Sequence, residues 1–217
     1  MLAFIFSTFS KHTPHILRHP YGQNRTHHKA SRERFLLPDE WRRVRAVLLL
    51  CPLKVRNFFT LLLLTGCRVG ELLAMEWEHL DLEFCIWHKP RTKTGRSHTV
   101  SLSPQACTFL GEIPRLGRYV FTGDPDHNGS KPDQPWSKTA VNYWWHKIRK
   151  AAGIPDVWIH DIRRTLGAWM TMHRENLHIV QTIFNHSDIR VTAKTYSPFA
   201  LDTQREALIR HADRVLA

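Results

Sequence analysis

The chain has 217 residues, 42% of them hydrophobic, enough to fill the core of one sizeable domain, and no run approaches the roughly 20 continuous apolar residues of a bilayer span. Lys and Arg number 31 against 19 Asp and Glu, giving a formal charge of +12 and a pI near 10.0; this points to a polyanionic partner, nucleic acid foremost, a balance also found in ribosomal and membrane-surface proteins. The four cysteines, Cys51, Cys67, Cys85 and Cys107, are spaced too widely for a CxxC metal or redox pair and are expected to be reduced and buried, in a cytoplasmic protein.

The opening "MLAFIFSTFS" is apolar but has neither a basic residue ahead of it nor a small-residue cleavage site, which argues against a secretory leader. Residues 11–34 mix Pro, Gly and repeated basic side chains without an apolar period, so residues 1–34 are expected to form a flexible basic arm. His27 and His28 lack the Cys or carboxylate neighbours of a metal site. The folded part, residues 35–217, opens at Pro38, where Asp39 and Glu40 place negative charge in the first turn of a helix. Trp41, Val44, Val47 and Leu48 recur at helical spacing and form its buried stripe.

A second helix, apolar on nearly all sides through Leu64, breaks at Thr65-Gly66 and resumes through Glu71, Leu72 and Leu73. "EFCIWHK" and "SHTVSLS" read as two strands, and "PRTKTGR" between them as the basic tip of a β-hairpin. Past "YVFTG" and a polar loop, Ser137 caps a helix with Val141, Trp144, Trp145 and Ile148 on one side and Gly153 as its stop. "HDIRRTLGAWMTMHR", "HIVQTIF", "DIRVTAKTY" and "DTQREALIRHADRVL" follow as further helices. The expected class is mostly α with a small antiparallel sheet.

Several polar residues fall at special points of this layout. Arg68 follows the Thr-Gly break and is expected close to the core, where a guanidinium requires a partner; Glu71 three residues on and a bound anion satisfy it equally well. His160 and Arg163 lie one helical turn apart, so both reach the same group. Lys93 sits in the hairpin tip. Two arginines and a lysine directed at one point form a phosphate clamp, since planar guanidinium groups donate paired hydrogen bonds to phosphate oxygens. No GxSxG elbow or HExxH helix supplies a nucleophile or metal, which leaves Tyr196, after a helix that returns it towards His186.

These segments resemble, in order, the boxes of the tyrosine recombinase (phage integrase) family. "LLLLTGCRVGELLAMEWEHLDLE" is similar to its first-arginine box and "TKTGRSHTVSL" to the catalytic-lysine hairpin. "IHDIRRTLGAWM" is similar to the His-x-x-Arg box, and "IFNHSDIRVTAKTYSP" to the box that ends in the nucleophilic tyrosine. The resemblance implies the family's catalytic-domain fold and site-specific cleavage and rejoining of double-stranded DNA. In that chemistry Arg68 and Arg163 hold the scissile phosphate, Lys93 protonates the leaving 5′-oxygen, and His160 and His186 complete the phosphate contacts and assist proton movement. Tyr196 attacks phosphorus and becomes joined to the 3′-phosphate. The phosphotyrosine link conserves the bond energy, so neither ATP nor a metal is expected, and relatives act as tetramers on DNA. A type IB topoisomerase shares the chemistry without site specificity, but the wording of the arginine boxes favours a recombinase.

Two departures stand out. Phe184-Asn185-His186 replaces the usual Leu-Gly-His, a change that Asn, tolerant of left-handed backbone, accommodates at a helix end. Only about 34 residues precede the catalytic part, too few for the family's N-terminal core-binding domain. The alternatives are a small invertase-like recombinase and a truncated integrase remnant that binds DNA but does not recombine alone.

Overall fold

Phe58 lies at the middle of the core, with the rings of Phe59, Phe121 and Trp136 set edge-on around it at centroid distances of 5.5, 4.9 and 5.1 Å. The computed structural model of the chain describes residues 34–90, 98–123 and 134–184. Phe58 belongs to the helix α2 (Leu53–Thr65), which buries Val55, Phe58, Phe59, Leu61, Leu62 and Leu63, as expected of a helix apolar on most sides. Ahead of it, α1 (Pro38–Leu48) starts at the Pro-Asp-Glu signal and buries Val44 and Leu48, with Trp41 and Val47 half-buried beside them.

Gly66 ends α2 in left-handed conformation, φ 59°, and its N–H donates to Leu62 O. A Cβ at this position would lie 2.5 Å from Phe184 Cε1 and 2.6 Å from Leu166 Cδ2, so both the backbone and the space require glycine. The chain turns there into α3 (Val69–Leu73), then a single 3₁₀ turn at Trp77–His79.

Three antiparallel strands follow in the order β1 (Leu80–Asp81), β2 (Ile86–Lys89), β3 (His98–Ser101). Trp87 pairs with Leu80 on one side and Val100 on the other, while Lys89 faces His98. The expected hairpin is present, but Glu83–Cys85 belong to the turn before it: Asp81 Oδ1 accepts from Phe84 N–H and Cys85 takes φ 53°. Strand β1 escapes a reading based on period because two residues carry none.

The helix α4 (Pro104–Gly111) was not expected either, although Ser103 caps it by accepting from Ala106 N–H and Pro104 fills its first position. Ser137 likewise accepts from Ala140 N–H to open α5 (Lys138–Ala151), which buries Val141, Trp145 and Ile148 and stops before Gly153 at φ 69°. The helices α6 (Ile159–Met172) and α7 (Leu177–Phe184) complete the described part. α2 packs on α6 and α4, and α1 on α5. The architecture is thus mostly helical with one small antiparallel sheet. The arm of residues 1–34, apart from Arg34, and the helices expected over 188–196 and 202–216 lie outside the described residues.

All four cysteines are free, but only Cys67 is buried; Cys51, Cys85 and Cys107 are half-buried. Cys107 Sγ, on α4, lies 2.8 Å from Cys85 Sγ, in the turn before β2. Among the described residues no helix is long and apolar enough to cross a membrane.

Candidate active site

The left-handed turn at Gly66 brings the two expected arginines to one place. Its carbonyl oxygen accepts from Nη1 of Arg163, whose Nη2 donates to the carbonyl of Phe184 at 2.8 Å. The guanidinium carbon stands 4.4 Å from the centre of the Phe184 ring, a cation–π approach, and the Arg163 side chain is buried. Three elements therefore hold this side chain: α6, which carries it; the end of α2, through Gly66; and the end of α7, through Phe184. Burying a guanidinium demands such partners, and the two carbonyls supply them among the described residues.

Two residues beyond Gly66, Arg68 occupies the N-cap of α3, and its side chain is about half exposed, not close to the core as expected. Glu71 binds it twice: Oε2 accepts from the Arg68 backbone N–H at 3.1 Å and Oε1 from Nη1 at 2.8 Å. The internal ion pair weighed from the sequence is therefore present, yet half of the Arg68 side chain remains open to solvent.

Glu71 has a further partner. Lys89 Nζ, on β2, donates to Oε2 at 2.9 Å and stands 4.1 Å from the Trp87 ring centre. Burial of Glu71 opposes its ionisation, but the Lys89 charge and the hydrogen bonds from Lys89 and Arg68 outweigh it and hold the carboxyl at about 2.

His160 opens α6 at its exposed side. Local desolvation, then the charges of Arg164 and Arg163 and, more weakly, Arg68, push its imidazole below the ordinary histidine value. A neutral ring at neutral pH is the state able to take a proton. Asp161, fully buried, steadies this first turn: Oδ2 accepts from Trp158 N–H at 2.8 Å and Oδ1 from Arg164 Nη1 at 3.1 Å.

The structure thus brings Arg68, His160 and Arg163 together, while Lys93, His186 and Tyr196 lie outside the described residues. Lys89 and the carbonyls of Gly66 and Phe184 were missed by sequence reasoning. Alternation along "IWHK" does place Lys89 on the same face as Trp87, which is a readable sign; a carbonyl acceptor leaves no such sign. As a candidate metal group, Glu76, Glu78 and His79 have ligand atoms close together, but Glu76 Oε2 already pairs with Arg118 Nε at 3.0 Å.

An α+β domain that moors one arginine on the core and leaves a second half-exposed beside it has the layout of an anion-handling site. The comparisons identify its kind. The model of the phage integrase family matches residues 34–200, and the chain belongs to that family, with a tyrosine recombinase catalytic domain. It is 40% identical over 135 residues to the shufflon-specific DNA recombinase of Escherichia coli, covering 62% of this chain and 32% of that protein. It is 25% identical over 175 residues to the integrase of Salmonella phage P22, covering 76% of this chain and 44% of the other. Among solved structures it shares its fold with the XerA recombinase, at a TM-score of 0.66 and 21% identity over 82% of this chain and 64% of that one. The Tn1549 transposon integrase in complex with transposon right end DNA is also similar, at a TM-score of 0.68 and 18% identity over 85% and 67%. The chain spans less than half of the length of the two curated relatives named here.

Proposed function

We propose that this chain carries the catalytic part of a site-specific DNA recombinase that cuts and rejoins double-stranded DNA through a 3′-phosphotyrosine intermediate. The observation that carries the reading is the meeting of Arg163, Arg68 and His160 around the Gly66 turn, within a chain whose family motifs also supply Lys93, His186 and Tyr196.

In this reading the scissile phosphate sits against the exposed side of Arg68 and within reach of Arg163. The Tyr196 phenol, with a pKa of about 10 when unperturbed, loses its proton as its oxygen attacks phosphorus. The bond from phosphorus to the 5′-oxygen breaks, and Lys93 delivers a proton to that oxygen; a lysine releases a proton far more readily than an arginine does. The two guanidinium groups meet the charge that develops on the phosphoryl oxygens, each such donor being worth on the order of 10²–10³ in rate. His160, neutral at neutral pH, assists the proton's movement, and His186 is assigned the same duty. Rejoining reverses the step with the 5′-hydroxyl of another strand. A tetramer on two duplexes is the assembly proposed, as in the lambda integrase tetramer bound to a Holliday junction.

The test is a nicked suicide duplex built from DNA flanking the gene. The wild-type chain is expected to form a covalent protein–DNA band that survives denaturation, and Tyr196→Phe to form none. A band with Tyr196→Phe overturns the nucleophile. Salt-sensitive DNA binding without any band establishes the binding remnant instead.

A further inference from the structure

Among the described residues of the hairpin, Lys89 is the one charged side chain on the inner face. Along β2 the exposure alternates, with Trp87 and Lys89 buried and His88 exposed, so the Lys89 ammonium is turned into the domain and 8% of the residue remains accessible. An ammonium in that position is unfavourable unless a carboxylate meets it, and an apolar residue would fill the same strand position without that penalty. Its partner is Glu71, the same carboxylate that receives both the backbone N–H and the guanidinium of Arg68.

We propose that Lys89 is a positioning residue for the cleavage reaction, acting through Glu71 on Arg68. It rests on the reading that Arg68 meets the scissile phosphate. Two effects follow from the arrangement. The first is geometric: Lys89 fixes Glu71 Oε2, and Oε2 in turn fixes the Arg68 amide, so the turn that presents Arg68 is tied to β2. The second is electrostatic. Glu71 alone would cancel the charge of Arg68, whereas Lys89, Glu71 and Arg68 together keep one net positive charge for the phosphate. The neighbouring His98, paired across the ladder with Lys89, has its imidazole lowered by burial and then by the Lys89 charge.

The test has a part that needs no activity. In the full chain, hydrogen exchange at the Arg68 amide is expected to speed up tenfold or more in Lys89→Met, while core amides such as Trp145 keep their protection. An unchanged Arg68 amide, or a loss of protection spread evenly over the domain, overturns the proposal. Should Lys89→Met fail to fold, Lys89→Gln keeps a neutral donor in the strand and is expected to show the same local loosening in smaller measure.

With the suicide duplex, Lys89→Met is expected to slow covalent-complex formation ten- to a hundredfold at saturating DNA, with little change in DNA affinity. Because Lys89 acts through Arg68, the substitution should add nothing further in an Arg68→Lys background. The same fold-loss in both backgrounds would show an independent role and sink the idea. Absence of a covalent band from the wild-type chain defeats the functional reading alone, and the exchange measurement then still decides on Lys89.

Discussion

The guanidinium of Arg163 donates to the main-chain carbonyl of Gly66, a residue 97 positions earlier, at the point where the largely buried helix α2 ends. The bond ties the end of α2 to the arginine proposed to hold the phosphate. It also means that the placement of Arg163 depends on a glycine.

Gly66→Ala should therefore be damaging. A methyl group would enter the space of Phe184 and Leu166 on a backbone at φ 59°. Left-handed strain and overpacking together predict a loss of about 2 kcal/mol or more, read as an earlier urea midpoint. A wild-type midpoint would show that the ring of Phe184 moves aside freely.

Arg163→Lys keeps the charge but replaces a two-pronged donor with a single ammonium. One of the two buried carbonyls, Gly66 O or Phe184 O, is expected to lose its partner, lowering stability by about 1–3 kcal/mol. Single-turnover cleavage should fall by about 10² or more. Arg163→Ala, which removes both bonds, is expected to be less stable again; equal stability of wild type and Arg163→Lys in denaturant titration would contradict the two-point mooring.

Acid should loosen the Arg68 turn. With its folded-state value at about 2, below the ordinary 4.5, Glu71 contributes stability that is complete above 4.5 and drains away as pH falls towards 2. Glu71→Gln, whose amide does not titrate, should flatten the dependence of unfolding free energy on pH within that window. An unaltered slope would mean that Lys89 and Arg68 do not stabilise the carboxylate.

Cys107 should be slow to react for a half-buried thiol. Burial and the hydrogen bond to Cys85 push it up to about 12, so almost no thiolate exists at pH 8. Iodoacetamide labelling followed by peptide mass is expected to run at least tenfold slower at Cys107 than at a free thiol, and to quicken in Cys85→Ala. Comparable rates in the two proteins would place the elevation elsewhere.

The longer elements were legible in the sequence because each carried two agreeing signals. The Pro-Asp-Glu start and apolar stripe of α1 did, as did Ser137 and Gly153 at the ends of α5. What escaped had one signal or none: β1 is too short for alternation, and in α4 the Ser103-Pro104 start preceded a helix too brief for a clear period. In the site, residue identity pointed to Arg68, His160 and Arg163, all of which the fold brings together. The depth of Arg68 was misjudged because α2 is buried while the N-cap of α3, which Arg68 occupies, emerges at the surface. The ring and carbonyl of Phe184 as supports of Arg163 depend on contact across 21 residues, which no local pattern encodes.

Among the described residues, Gly66 and Phe184 receive Arg163 through peptide oxygens, a group that every amino acid carries. Drift in the side chain at position 184 therefore leaves the acceptor in place, provided that the chain keeps its path. The phenylalanine ring at this position adds a contact of its own to the guanidinium. Position 66 allows no such drift, because there the path itself depends on the missing side chain. The placement of Arg163 thus depends on the course of the backbone at positions 66 and 184, in a domain that shares its fold with proteins about one-fifth identical to it.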